Sequence, residues 1–193
     1  KCLRYLIESK LFIKNTSFIL NSKDMNGWNV LYYLLKYTSL DIFLELYIKG
    51  HITREMFEVR NRKNLTLLMS SCNCKNFVLK FVLSFAYFTN ELFNSLDDYG
   101  NNCFHYVCMN NLSNFKSLVE CKYFKEEMLL KKNLRGITPI LYGFGVPEIG
   151  DYIIKNNLVD KEELNYVTND NNDINSNILY SSIYSLDIEY FKR

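Results

Sequence analysis

Six cysteines and two histidines are the residues of this 193-residue chain best suited to chemistry. Cys72-Asn73-Cys74, and Cys103 and Cys108 with His105 between them, offer soft metal ligands. Neither forms a pair repeated at the spacing of a zinc site, so no metal is expected. Glu126-Glu127 and Glu162-Glu163 are adjacent in sequence and diverge on a helix, which makes them solvated faces and not an acid/base pair. Gly143-Phe144-Gly145 has the glycines of a phosphate loop but neither the preceding strand nor the lysine. Close neighbour packing at a helix start accounts for Gly143. The expectation is a chain without catalysis, cofactor or small-molecule substrate.

The cysteine spacing belongs instead to a longer pattern, because Cys72 and Cys108 sit 36 residues apart in equivalent phrases. The phrases begin at Asp24, Asn61, Asp97 and Asn133, at intervals of 37, 36 and 36 residues. Each holds a polar turn, a short apolar helix start and a second apolar run. A weaker copy begins near Asn171 and reads through Asn175-Ser176-Asn177-Ile178-Leu179. A fixed period of this size marks stacked structural repeats. Gly27, Gly100 and Gly136 stand three residues after an Asp or Asn, where a turn requires a left-handed backbone. Asn29, Thr66, Asn102 and Thr138 stand next to an apolar run, where they can cap a helix N-terminus. Pro139 follows at the first helical position, where a missing N–H costs nothing. Second helices are expected over 40–48, 77–85, 115–119 and 149–154.

These phrases resemble the ankyrin repeat, D-x-x-G-x-T-P-L-H-x-A. The likeness is closest at Gly136-Ile137-Thr138-Pro139-Ile140, and the third copy keeps Asp97, Gly100 and His105. Asn64 replaces the turn glycine in the second copy and Ile174 in the fifth. The resemblance covers nearly the whole chain and implies an all-α, ankyrin-like solenoid of stacked turn–helix–turn–helix repeats. The repeats fall near 24–60, 61–96, 97–132 and 133–170, with partial ones at 1–23 and 171–193. It also implies that His105 bonds a turn of its own or the next repeat, and that Cys72 and Cys108 fill a small buried position. Ankyrin repeats have 33 residues, and the surplus reads as an added single-turn helix in 52–57, 88–93, 124–129 and 159–164. Lys1–Ile7 and Asp187–Arg193 read as pieces of second helices, so the chain is expected to be a fragment of a longer array.

Hydrophobic residues at 48% and aromatics at 16% suffice for a continuous core between repeats, with no linker to interrupt it. Cysteines that follow the repeat, and not a disulfide framework, point to a reducing, cytoplasmic compartment. The sequons at Asn15, Asn64 and Asn111 carry no meaning there. No signal peptide or long apolar span is found, so no membrane is expected. Richness in Asn, Lys, Ile, Tyr and Phe goes with a low-GC genome, such as that of a large DNA virus or an intracellular microbe.

A net charge of +2 is uninformative by itself, but its layout is not. Arg60, Arg62 and Lys63 on the second turn face Asp97 and Asp98 on the third, then Lys131, Lys132 and Arg135 on the fourth, and Asp170 and Asp173 on the fifth. Alternation breaks the unbroken basic stripe that nucleic acid requires. It serves either attraction between adjacent turns or selection of a protein partner. The resemblance places partner contacts on the turns and first helices. The candidates are Trp28, Arg62, Lys63, Leu65, Asp98, Tyr99, Asn101, Arg135 and Ile137, centred on Leu65 and Tyr99. Trp28 and Ile137 serve either as exposed anchors or as packing onto the neighbouring turn. The resulting expectation is a non-catalytic module that binds a protein partner. The alternatives are a recruiting or regulatory array of a larger adaptor or enzyme, and nucleic-acid binding.

Overall fold

The four phrases fold into one and the same turn, and the cause is the residue that opens it. A computed structural model describes residues 18–37, 40–109 and 111–159. In it Asp24, Asn61, Asp97 and Asn133 each accept two backbone N–H groups on a single side-chain oxygen, Oδ1. The donors lie two and four residues ahead. They are Asn26 and Trp28 at 2.9 and 2.8 Å, Lys63 and Leu65 at 2.9 and 2.9 Å, Tyr99 and Asn101 at 2.9 and 2.8 Å, and Arg135 and Ile137 at 2.9 and 3.1 Å. The opening residue's own N–H donates to the carbonyl four residues on, at 2.8 to 3.1 Å. Such closure forces the fourth residue to positive φ, +88° at Gly27, +61° at Asn64, +76° at Gly100 and +74° at Gly136. Asparagine tolerates that region better than other side chains, so Asn64 preserves the turn.

Among the described residues the chain is all-α, without strands; Arg60 and Thr66 form an isolated antiparallel bridge. Residues 18–21 are helical. The elements that follow are α1 (Val30–Lys36), α2 (Leu40–Ile48), α3 (Arg54–Phe57), α4 (Leu67–Ser71), α5 (Asn76–Ser84) and α6 (Asn90–Phe93). After them come α7 (Cys103–Val107), α8 (Leu112–Val119), α9 (Glu127–Leu130), α10 (Pro139–Phe144) and α11 (Pro147–Lys155).

The first helices α1, α4, α7 and α10 start one residue after Asn29, Thr66, Asn102 and Thr138. Three of these residues cap as expected, accepting the N–H of Leu31 at 3.1 Å, Met69 at 3.2 Å and His105 at 3.2 Å. Thr138 does not. Its Oγ1 is buried without a hydrogen-bond partner, and Leu141 stands where His105 stands one repeat earlier. Among the second helices, α8 begins three residues before the expected Phe115, because Asn111 caps it by accepting the Asn114 N–H at 3.0 Å.

The surplus residues form α3, α6 and α9, and they belong to the core. Thr53 and Thr89 cap the first two of these, at 3.4 Å to Met56 N and 3.3 Å to Leu92 N. Glu126 makes no such bond at α9. The amide groups of Asn29 and Asn102 reach back to hold α3 and α9, donating to the carbonyls of Met56 at 2.7 Å and Met128 at 2.8 Å. Each of these asparagines therefore caps one helix and fastens another.

The chain divides into two compact units, Lys1–Leu92 and Phe93–Arg193. The first holds the turns at Asp24 and Asn61, and the second those at Asp97 and Asn133. Aromatic rings fill both cores. Phe43 meets Phe81 and Phe85 edge-on at 5.0 and 5.1 Å, and Phe57 stacks on Phe85 at 5.1 Å. In the second unit Phe104 lies 6.0 Å from Phe93, 6.0 Å from Phe115 and 5.4 Å from Phe124. Each such pair adds about 0.5–1.5 kcal/mol beyond the burial of its area. Among the described residues, no helix is long and apolar enough to cross a membrane. Residues 1–17 of the expected partial repeat at 1–23, the whole of that at 171–193, and most of the fourth added helix lie outside the described residues.

Candidate functional site

His105, Cys72 and Cys108 are built into the scaffold. His105 is fully buried, and its Nε2 lies 3.1 Å from the Ile137 carbonyl of the next turn. A carbonyl accepts, so Nε2 carries the proton. Nδ1 then accepts the Asn102 N–H at 3.1 Å and completes a capping box with the bond that Asn102 Oδ1 receives. Burial lowers the His105 pKa to about 4, so the ring is neutral at physiological pH. Cys72 and Cys108 are both fully buried at equivalent positions, the C-caps of α4 and α7, and are free thiols. Burial pushes the thiols of Cys103 and Cys108 far above the ordinary range, the opposite of what a nucleophile or metal ligand requires. No group of three His, Cys, Asp or Glu able to hold a metal occurs among the described residues.

Gly143 lies inside α10, not at a helix start. A Cβ there would stand 3.1 Å from both Ile149 Cγ2 and Ile153 Cδ1, so the glycine lets α11 approach.

The turns carry exposed side chains. Turn residues two and three point outward: Met25 is 77% exposed, Tyr99 45% and Leu134 79%, and Asn26, Arg62, Lys63, Asp98 and Arg135 are exposed as well. Neighbouring turns join through their backbones. Arg62 N donates to Asn26 O at 2.8 Å in the first unit, and Leu134 N to Tyr99 O at 2.9 Å in the second. Of the expected binding residues, Arg62, Lys63, Asp98, Tyr99 and Arg135 are thus exposed.

The fifth turn residue behaves differently, which corrects several expectations. Trp28 and Ile137 are each only 5% exposed. Trp28 stacks on Tyr32 with ring centres 4.3 Å apart and planes 5° apart, so it packs and does not project. Ile137 is held by Asn133 and His105 through its backbone. Asn101 is half-buried and commits its amide to other turn residues, donating to Asp97 Oδ2 at 3.1 Å and accepting from Asn133 Nδ2 at 2.8 Å. Leu65 is half-buried at the edge of a cleft between α1 and α4.

Asp97 likewise leaves the expected charge pattern. It is buried, and its carboxylate accepts from Tyr106 Oη at 2.5 Å in addition to the turn N–H groups. Asp24 and Tyr33 repeat this bond at 2.5 Å. The hydrogen bond raises the Tyr33 pKa to about 12 and lowers that of Asp24. The sequence does not single out Met25 and Leu134, because polar Arg62 and Asp98 hold their place in the other copies. No family model and no curated protein sequence matches the chain.

Proposed function

We propose that this chain is an ankyrin-like solenoid of stacked turn–helix–turn–helix repeats, acting as a non-catalytic module that binds a protein partner on its turn tips and first-helix face. One observation carries the reading: one turn is built four times with one set of hydrogen bonds, and adjacent turns are joined backbone to backbone within each unit. A scaffold this regular holds turn residues two and three at fixed places while leaving their identity free. In the second unit that position presents Tyr99 and Leu134 beside Asp98 and Arg135, an apolar centre with a charged rim. Protein interfaces share that anatomy. Free, buried thiols fit a reducing cytoplasm.

The test is a capture experiment with the immobilised chain. The reading expects a defined protein to be retained from cell lysate, and to be lost from the Tyr99→Ala/Leu134→Ala variant although that variant melts at the unaltered temperature. Retention of the same protein by the variant would place the contact elsewhere.

A further inference from the structure

Apart from the turn tips, the first unit has an open cleft of about 480 Å³ between α1 and α4. Tyr32 and Lys36, one helical turn apart on α1, line one side. Ser70 of α4, with Cys74 and Lys75 leading into α5, lines the other. Leu35 and Leu67, 3% and 2% exposed, form its apolar floor. The volume lies within the range of ligand-sized sites.

Its electrostatics are one-sided. No Asp or Glu lines the cleft, while two lysines do. Lys49, Arg54 and Lys155 each pair with a carboxylate one helical turn away, at 2.6, 2.6 and 3.2 Å. Among the described residues, Lys36 and Lys75 have no such partner. Lys36 is nevertheless held in place: its Nζ stands 5.4 Å from the Tyr32 ring centre and 5.7 Å from that of Tyr37. Stacking of Trp28 on Tyr32 supports the first of these rings. A cation ordered in advance by aromatic faces loses less side-chain freedom when it meets an anion. Two positive groups over an apolar floor are the complement of a carboxylate next to an apolar side chain.

We propose that this cleft binds an acidic peptide segment of the protein partner, its carboxylates meeting Lys36 and Lys75 and an adjoining apolar side chain entering over Leu35 and Leu67. The proposal rests on the protein-binding reading and names the chemistry of the bound segment. A nucleic-acid strand fits less well, because it calls for a continued basic track and not two cations around one cleft.

The probe is a short peptide alternating Glu with Leu, titrated into the isotope-labelled full chain and followed by NMR. Saturable shifts at the Tyr32, Ser70 and Cys74 amides are expected. Lys36→Gln and Lys75→Gln should each weaken binding about tenfold. Lys80→Gln, at an exposed lysine of α5 outside the cleft, should leave it unchanged. On the unsubstituted chain, bound peptide should slow alkylation of Cys74, which lies half-buried in the cleft. The proposal is overturned by shifts confined to other residues, by unchanged Cys74 alkylation, or by an equal response to inorganic phosphate or a short oligonucleotide. Tyr99→Ala should not alter peptide binding. If the peptide fails while tip variants still abolish partner capture, only the cleft assignment falls. If the peptide binds while tip variants capture normally, only the tip assignment falls.

Discussion

Thr138 and Leu141 occupy the places that Thr66 and Met69 hold in the second repeat, yet Thr138 Oγ1 accepts no N–H and lies buried with no hydrogen-bond partner, whereas Thr66 Oγ1 accepts the Met69 N–H at 3.2 Å. An unsatisfied buried hydroxyl costs about 1–3 kcal/mol. Valine has nearly the same shape and branching, and Thr138 makes no side-chain capping bond that could be lost. Thr138→Val should therefore raise stability by about 1 kcal/mol, measured by urea unfolding. A destabilised variant would show that the hydroxyl has a partner in solution.

His105 predicts acid sensitivity. Unfolded histidine titrates near its ordinary value of 6.5, while burial lowers the folded value to about 4, against the opposing pull of the Ile137 carbonyl. Above pH 6.5 neither state carries the proton and nothing is lost. As pH falls toward 4, the unfolded chain takes up a proton that the folded chain refuses. Stability should drop by an amount on the order of 3 kcal/mol across that window and level off below it. His105→Gln should flatten this part of the stability–pH curve, read from denaturant midpoints.

Turn glycines separate two costs. At Gly50, φ is +71° and a Cβ would meet nothing within 4 Å among the described residues. Gly50→Ala should cost about 1 kcal/mol, the left-handed penalty alone. At Gly100, φ is +76° and the Cβ would stand 3.1 Å from Leu134 N, the group that bonds Tyr99 O. Gly100→Ala should cost about 2 kcal/mol or more, because it adds a clash with backbone to that penalty. Equal losses at the two sites would mean that the joined turns adjust freely.

The turns and first-helix starts were legible because they are local. An Asp or Asn that bonds two and four residues ahead, a Gly or Asn at positive φ, and a cap residue are all written within six positions. What happens to the fifth turn residue is not local. Trp28 is drawn inward by Tyr32, and the Ile137 carbonyl is held by His105 from the preceding repeat. Nor does a repeated phrase reveal which of its side chains face water, so the exposure of Met25 and Leu134 is not legible in it. The cleft is less legible again, since Lys36 and Lys75 belong to different repeats and neither stands in a recognisable motif.

Burial changes what Trp28→Ala should do. Its ring is 5% exposed and stacked on Tyr32, so truncation should destabilise the first unit by about 3 kcal/mol. The expected readout is an earlier unfolding transition, with the loss of any partner binding following from unfolding. An unaltered melt would return Trp28 to the role of an exposed anchor.

Tip residues should divide by kinetic signature. Tyr99 is a half-exposed aromatic side chain at the centre of the proposed contact, with Asp98 and Arg135 exposed around it. A central aromatic anchor acts mainly on how long a complex lasts, and its truncation commonly costs 2 kcal/mol or more, about thirtyfold in affinity. A solvated rim charge acts mainly on encounter, through a field that salt screens. Once a partner is in hand, Tyr99→Ala should speed dissociation and leave the association rate nearly unchanged. Arg135→Ala should alter the association rate and flatten its dependence on salt, with little change in dissociation. Surface plasmon resonance at several salt concentrations reads both quantities. If Arg135→Ala instead accelerates dissociation while Tyr99→Ala changes nothing, the guanidinium is the buried anchor and the contact centres on the fourth turn, not the third.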